Sequence, residues 1–284
     1  MSESTSAPAG RGSLDLFARA AQIHPKYFVS FFITLVLVLG EWRYAILGGY
    51  DRLAIALATC VGMELLFSKL LRGQFANVQS AYITGVSLSL LLKPQSGLMW
   101  PFVLGGFLAI SSKYALTYRQ RHLWNPSNFA IAVLLLVAPG KVAILSHQFG
   151  SELATNAIIW TFGLMIAARA RVLHVTLTYV ASFIVLAGLR NLIVGGPVLA
   201  EIAPLTGPMY QLFVFFMITD PRTTVSSKRG RIIVAATVAF VEALIRIGGD
   251  MQWGVLAPLY VSPPILALAI VGPVAMIVNQ RKVS

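Results

Sequence analysis

The sequence predicts an all-α polytopic membrane protein, built as two repeats of five crossings that run in opposite orientations. Three observations support this fold class: an apolar composition, a succession of apolar segments, and basic residues concentrated in alternate connections. Of the 284 residues, 57% are hydrophobic and only 11% are charged, whereas a soluble domain carries about 25% charged residues. The lipid bilayer must therefore be the solvent for most of the surface.

The charge and the metal-binding side chains exclude several classes of function. A net charge of +12 would suggest nucleic-acid binding in a soluble protein, but here the basic residues form short clusters between apolar segments. Such clusters are typical of loops that set membrane orientation, so no nucleic-acid partner is expected. Cys60 is the only cysteine, and the four histidines show no ligand spacing. A metal or iron–sulfur site held by this chain alone is therefore not expected.

The N-terminal segment lacks the apolar core and cleavage site of a signal peptide. It predicts a cytoplasmic tail, residues 1–26, ahead of an uncleaved first helix. The first membrane repeat then occupies residues 27–138 and the second occupies residues 154–280.

Ten segments are candidates for membrane crossings. Seven are long enough, or nearly so, for about 30 Å of hydrocarbon: Tyr27–Leu39, Leu53–Leu71, Met99–Tyr114, Ala154–Ala168, Val172–Leu189, Ile232–Ile247 and Leu256–Val278. Three are short: Ala81–Leu92, Pro126–Ala138 and Met209–Ile218. Twelve helical residues extend only about 18 Å. A short segment must therefore stop midway or continue as irregular backbone, which a membrane tolerates only inside protein or beside a polar cavity.

The distribution of basic residues favours ten crossings with both termini cytoplasmic. In that arrangement the inner side carries 16 of the 22 Lys and Arg residues, the outer side carries five, and Arg246 lies within a helix. If one short segment did not cross, every later connection would move to the opposite side of the membrane. The basic residues would then no longer be concentrated on one side. The bias predicts a multi-pass protein of a bacterial-type plasma membrane.

Interruptions at corresponding positions indicate an inverted repeat. The third crossing of each half is short, and proline stands in both fifth crossings: Pro126 opens one, and Pro263 with Pro264 interrupts the other. Such pairs are typical of inverted-repeat membrane proteins whose site lies between the halves.

Three segments carry polar residues where a membrane protein tolerates them least. The segment from Ala81 to Pro94 contains Thr84, the one from His122 to Ala130 contains Asn125, Ser127 and Asn128, and the one from Phe215 to Thr224 contains Thr219, Asp220 and Thr223. The free N–H groups of the helix start at Pro126 could hold an electron-rich oxygen or a phosphate. Each segment also has a structural interpretation, since Asn125 could cap a helix and Asp-Pro favours a turn.

Ionisable residues within the predicted crossings are candidates for an ion path. Glu64 lies in the second crossing, and Glu242 and Arg246 lie one turn apart in the ninth. Charge inside a membrane is costly and by default indicates a site. The alternative for Glu242 and Arg246 is an ion pair within one helix, whereas Glu64 has no partner nearby in the sequence.

The polar segments also carry a family resemblance, which covers roughly Gln79 to Gly230. Ser80, Ala81, Thr84 and Gly85 are similar to a motif S-A-x-x-T-G/A, and Lys113 followed by Asn125 to Asn128 resembles a lysine and an N-P-x-N motif. Phe215 to Thr224 is closely similar to F-F-M-A-T-D-P-x-T-S. In this order the motifs resemble the D subunit of Rnf electron-transport complexes and its relative, the B subunit of the sodium-pumping NADH:quinone reductase.

The resemblance implies a urea-channel-like fold and a flavin, FMN or riboflavin, that transfers electrons within an oxidoreductase complex. It implies partner redox subunits or an electron-carrier protein, and coupling to ion movement. The cofactor-binding candidates are Thr84, Lys113, Asn125, Ser127, Asn128, Thr219, Asp220 and Thr223.

One motif of that family has no counterpart here. No S-G-A-T string stands in Pro139–Leu153 or Arg190–Pro208, so covalent FMN is not expected and the flavin would be non-covalent. Two alternatives stay open: a cofactor-free channel or transporter for a small polar solute, and a membrane anchor of a larger redox complex.

Overall fold

A computed structural model describes residues 25–146 and 152–282. The predicted tail, residues 1–26, lies almost wholly outside the described residues. The helices are α1 (Pro25–Tyr44), α2 (Tyr50–Arg72), α3 (Gln79–Leu91), α4 (Trp100–Ala115), α5 (Pro126–Val137), α6 (Leu153–Arg169), α7 (Leu173–Val194), α8 (Val198–Ile202), α9 (Pro208–Leu212), α10 (Lys228–Asp250) and α11 (Pro263–Lys282). Short 3₁₀ helices cover Ala203–Thr206 and Gly254–Leu259, and a π-helical stretch covers Phe213–Met217. The strands are β1 (Leu92–Pro94), β2 (Thr117–Tyr118), β3 (Arg121–His122) and β4 (Val142–Ile144).

Among the described residues, five helices are long and apolar enough to cross a membrane. They are α1, α2, α7, α10 and α11, with mean hydropathies from 1.3 to 1.9. A sixth span results if Val198–Thr206 and Pro208–Met217, which are bent by 62° at their junction, form one broken crossing. The predicted class, an all-α multi-pass membrane protein, is therefore confirmed at this level. Helices α3, α4, α5 and α6 have between 12 and 17 residues and do not reach the length of a full helical span.

The outside of the protein is apolar, unlike that of a soluble protein, whereas its core combines apolar side chains with buried polar ones. Large apolar side chains cover the outside of the helix assembly, including Phe31, Val38, Leu66, Val103, Phe107, Phe162, Leu177, Ile184, Leu189, Phe240, Leu244, Ile270 and Val274. Polar and charged side chains are buried inside it, including Glu64, Ser68, Thr84, Ser87, Ser89, Lys113, Asn128, Gln211 and Glu242. An apolar exterior of this extent needs a lipid environment.

Two short helices of the first half lead into extended segments that pair with each other. Helix α3 runs directly into β1, and β4 follows α5 after a turn. The two strands are antiparallel, with Leu92 opposite Ile144 and Pro94 opposite Val142. This pairing satisfies backbone groups that would otherwise be unbonded where the helices end.

Two predicted segments differ in their local structure. The prolines of the last crossing were expected to interrupt it, but α11 begins at Pro263, because proline fits the first turn of a helix, where its missing N–H is not needed. The segment expected at Met209–Ile218 begins at Pro208, and its second half is π-helical, with the Ile218 amide donating to the Phe213 carbonyl at 3.1 Å.

Two sets of three helices pack in a similar order. In the first half α2 packs against α4 and α4 against α5, while in the second half α7 packs against α10 and α10 against α11. The first helices of the halves, α1 and α6, contact each other, and so do the last, α5 and α11.

Contacts between the connections fall into two groups. In one group, Arg43 pairs with Glu152 at 3.3 Å, Arg190 pairs with Asp250 at 3.2 Å, and Lys93 donates to the Ile46 carbonyl. In the other group, Arg121 donates to the Thr224 carbonyl at 2.8 Å, Arg119 donates to the Gln280 carbonyl at 2.6 Å, and Asn279 donates to Ser226 at 3.4 Å. Each of these contacts joins connections that the sequence assigned to the same side of the membrane.

Candidate functional site

The N-P-S-N segment forms the start of α5. Asn125 has an extended backbone, and its side-chain oxygen accepts from the Asn128 amide at 3.2 Å, with Pro126 in the first turn. Ser127 and Asn128 are buried, and the Asn128 side-chain nitrogen donates to the Ile265 carbonyl at 3.0 Å. The segment therefore caps α5 as its structural interpretation required, and Asn128 also joins α5 to α11.

The T-D-P segment lies directly against this helix start. The Asn125 side-chain nitrogen donates to Asp220 Oδ2 at 3.1 Å, across 95 residues of sequence. The other carboxylate oxygen of Asp220 accepts from the Arg222 amide at 3.0 Å, and the Asp220 carbonyl accepts from the amides of Thr223 and Thr224. Two motifs that the sequence indicated separately are thus one contact in the structure.

A buried ion pair lies on the neighbouring helices. Lys113 of α4 donates to Glu64 of α2 at 2.9 Å and to the Ser80 hydroxyl at 3.0 Å, and Tyr114 donates to the second Glu64 oxygen at 2.9 Å. Thr84 donates to the Ser80 carbonyl at 2.9 Å. The partner of Glu64 could not be found from the sequence, because Lys113 lies 49 residues away and its distance from Glu64 depends on the packing of α2 against α4.

His122 opens the segment that contains Asn125, but it was not a predicted cofactor-binding residue. Asp220, Arg222, Lys113 and Arg72 all act electrostatically on its ring. Burial lowers the pKa of His122, although the neighbouring Asp220 acts in the opposite direction. Its Nδ1 atom is buried and has no hydrogen-bond partner in the described part of the chain. The only sequence feature that could have indicated His122 is its position three residues before Asn125.

The predicted side chains differ in the hydrogen-bonding capacity that they leave for a ligand. The Thr84 and Thr219 hydroxyls donate to carbonyls of their own segments, and the Asn128 nitrogen is bonded to Ile265. The Asp220 carboxylate accepts one hydrogen bond at each oxygen, although a carboxylate can accept about four. Hydrogen bonds to a ligand therefore remain possible at the Asp220 carboxylate, at the second Asn125 side-chain hydrogen and at the His122 ring.

The same two segments also contain aromatic side chains. Phe129 packs on Trp124 with ring centroids 5.5 Å apart, and Phe216 packs on Phe32 at 5.2 Å. The Trp124 indole donates to the Ala269 carbonyl at 2.8 Å, which links this aromatic pair to α11. The two segments that meet at Asn125 and Asp220 therefore carry aromatic side chains as well as polar ones.

The ion-path candidates of the second half form a separate network. Tyr179 of α7 and Tyr210 of α9 donate to Glu242 of α10, which is fully buried, and Arg246 donates to it at 3.0 Å. Arg246 also donates to the Tyr210 oxygen. The contact between Glu242 and Arg246 is the ion pair within one helix that the sequence suggested, and the two tyrosines satisfy the carboxylate further.

A small cavity separates this network from another ion-pair cluster. Its volume is about 10 Å³, close to the minimum for one water molecule, and Arg190, Glu242 and Arg246 line it. Arg190 pairs with Glu201 and, at 3.2 Å, with Asp250.

Within residues 25–146 and 152–282, no group of three or more His, Cys, Asp or Glu side chains could hold a metal ion.

Comparisons with known proteins do not assign the chain to a family. No family model matches the sequence, and a search of curated proteins found no match. The likeness to the Rnf and sodium-pumping reductase subunits therefore rests on the three motifs alone.

Proposed function

We propose that this chain is the membrane subunit of a redox system and that it binds a flavin, FMN or riboflavin, non-covalently. The binding site is the contact between the N-P-S-N and T-D-P segments, from which electrons are relayed across or along the membrane. The observation that carries the proposal is the 3.1 Å hydrogen bond from Asn125 to Asp220 beside a His122 nitrogen that lacks a partner. The motif resemblance is the second support.

The side chains around this contact match the polar edge of an isoalloxazine ring. Asp220 can accept from the ring imide, and Asn125 and His122 can donate to the ring carbonyls. Arg222 adds positive charge nearby, which favours electron-rich states of the ring. A bound flavin supplies the electron-transfer chemistry that side chains lack, while the protein orients the ring and excludes water from it.

A flavin that relays electrons needs an electron donor and an electron acceptor, so the partners are other redox subunits or an electron-carrier protein. The connection between the π-helical stretch and α10 exposes Arg222 two residues after Asp220, and a basic side chain there is suited to an acidic carrier. Ion movement coupled to electron transfer would use the buried ionisable residues Glu64, Glu242 and Arg246.

We further propose ten crossings in an inverted repeat, with both termini cytoplasmic in a bacterial-type plasma membrane. Helix α3 has 13 residues and β1 has three, so together they extend about 30 Å, which is the hydrocarbon thickness. The contacts between connections agree with the two sides that ten crossings produce. In each half a buried glutamate also joins the second helix to the fourth: Glu64 with Lys113, and Glu242 with Tyr179.

The direct test of the redox function is the colour of the purified protein. We expect the full chain, purified in detergent, to absorb in the blue and to release its flavin on acid denaturation. On a denaturing gel the band should show no flavin fluorescence, because no threonine motif for covalent attachment is present. A colourless protein that takes up neither FMN nor riboflavin would contradict the proposal.

One observation favours a second candidate, a transporter or channel for a small polar solute. The eighth segment is a broken helix with a 62° bend, and the fully buried Gln211 lies just after the bend with an oxygen that lacks a partner among the described residues. Broken helices with polar groups at the break are typical of transport sites. Solute flux into proteoliposomes above that of empty vesicles, by protein without flavin, would favour this candidate.

A further inference from the structure

A basic cleft opens between the beginnings of α7 and α10. Its volume is about 540 Å³, and it is lined by Arg171, Leu173, His174, Leu177, Ser226, Lys228 and Arg231. None of these lining side chains is acidic. The cleft therefore gathers three permanent positive charges, a histidine and a hydroxyl around a space large enough for a ligand.

The polar side chains of the cleft are suited to an anion with several oxygens. Arg231 donates through Nε to the Val225 carbonyl at 2.9 Å, which holds its guanidinium in place. His174 has a buried Nε2 atom with no hydrogen-bond partner in the described part of the chain. The helix starts at Leu173 and Lys228 add partial positive charge. A phosphate ester combines the charge and the number of acceptors that this arrangement can satisfy.

The apolar part of the cleft indicates where such a phosphate comes from. Leu177 lies one turn after His174 on α7 and is 52% exposed, on a helix that is long and apolar enough to cross the membrane. A ligand phosphate among the basic side chains would thus have lipid-facing apolar surface directly beside it. Basic pockets between membrane helices bind anionic lipid headgroups in this way.

We propose that the cleft binds the phosphate ester of an anionic phospholipid headgroup, with an acyl chain lying along Leu173 and Leu177. The proposal is independent of the redox function. The cleft is formed by α7, α10 and the residues just before them, whereas the candidate flavin site is formed by α5 and the segment around Asp220.

The test is a binding titration of the purified full chain with phosphatidylglycerol, followed by native mass spectrometry. The variant is Arg171→Gln with Lys228→Gln, and the matched control is Arg222→Gln with Arg229→Gln, which removes the same charge from nearby exposed positions outside the cleft. Each basic residue near a lipid surface is worth about a fivefold change in binding, so the cleft variant should bind roughly 25-fold more weakly. The control should stay within about threefold of the original chain.

Three outcomes would overturn the proposal. The two double variants could lose affinity equally, phosphatidylcholine could bind as well as phosphatidylglycerol, or sn-glycerol 3-phosphate could bind with the same sensitivity to the variants. The last outcome would show a site for a soluble phosphate ester rather than a lipid. If the cleft variant does not fold, the single variants Lys228→Gln and Arg229→Gln, at adjacent positions, provide the same comparison. We expect an about fivefold loss of phosphatidylglycerol affinity for Lys228→Gln only.

Discussion

At the scale of single residues, each buried charge that the sequence indicated has a partner in the structure. One partner is local and could be predicted, namely Arg246 one turn after Glu242. The partner of Glu64 could not, because it is supplied by a different helix. Buried charges without partners are too costly to persist in an apolar interior, so a lone glutamate in a crossing predicts a distant cation without identifying it.

The buried pair of Glu64 and Lys113 gives a prediction about stability. Both side chains are more than 90% buried, so replacing either alone leaves an unpaired buried charge, which costs about 3–5 kcal/mol. Glu64→Gln and Lys113→Met should each lower the melting temperature in detergent. The combined variant should be more stable than either single variant, because no unpaired charge remains.

Thermal unfolding of the four proteins gives the coupling free energy between the two positions. The favourable coupling expected for contacting residues is larger than about 0.5 kcal/mol. Strictly additive losses would show that the ion pair does not form in the membrane protein.

At the scale of elements, the predicted segments correspond to helices, but their ends and breaks depend on packing. The three-residue strands β1 and β4 were missed because they are too short to show a pattern, and because their residues are about 50 apart in sequence. The π-helical stretch was missed because it depends on how Phe213 and Phe215 pack rather than on which residues occur there. The helix start at Pro263 could have been recognised, since proline is common in a first turn.

Helix α6 depends on one close approach. A Cβ atom at Gly163 would lie within 2.6 Å of three ring carbons of Phe215. That ring is packed between Phe32 and Trp160 and cannot move aside. We therefore expect Gly163→Ala to cost about 1–3 kcal/mol through overpacking.

Gly188 provides the matched control for this substitution. It lies in the helical part of α7, and a Cβ there would meet no atom within 4 Å. Gly188→Ala should leave the melting temperature unchanged or raise it slightly, because alanine favours helix. Equal losses in the two variants would show that Gly163 and Phe215 are not in contact.

At the scale of the whole molecule, composition and apolar periodicity were enough to predict an all-α membrane protein. They were also enough to locate the polar segments, two of which meet at Asn125 and Asp220 in the structure. What hydropathy cannot decide is whether a helix of 12 to 17 residues crosses completely, since length alone does not show how the backbone continues. Ten crossings therefore rest on charge bias and on contacts between connections.

Reporter fusions test the ten-crossing arrangement. Fusions after Gly97, Gly195 and Gly249 should report the outer side, and fusions within residues 119–123 and 224–230 should report the inner side. Gly195 is the most informative position, because it lies between α7 and the broken eighth segment. An inner signal at Gly195 would contradict ten crossings.

The most direct test of the central claim is the flavin-to-protein ratio, measured together with the melting temperature, for the original chain, Asp220→Ala and Asn128→Ala. Asp220 retains acceptor capacity for the ring imide, whereas the Asn128 nitrogen is committed to Ile265. A hydrogen bond to a charged group is worth about 1.5–3 kcal/mol and a neutral one about 0.5–1.5 kcal/mol. We therefore expect Asp220→Ala to lose most of the flavin. Asn128→Ala should mainly lower the melting temperature. A ratio that stays the same in Asp220→Ala while its melting temperature falls, or an original chain that holds no flavin, would contradict the account.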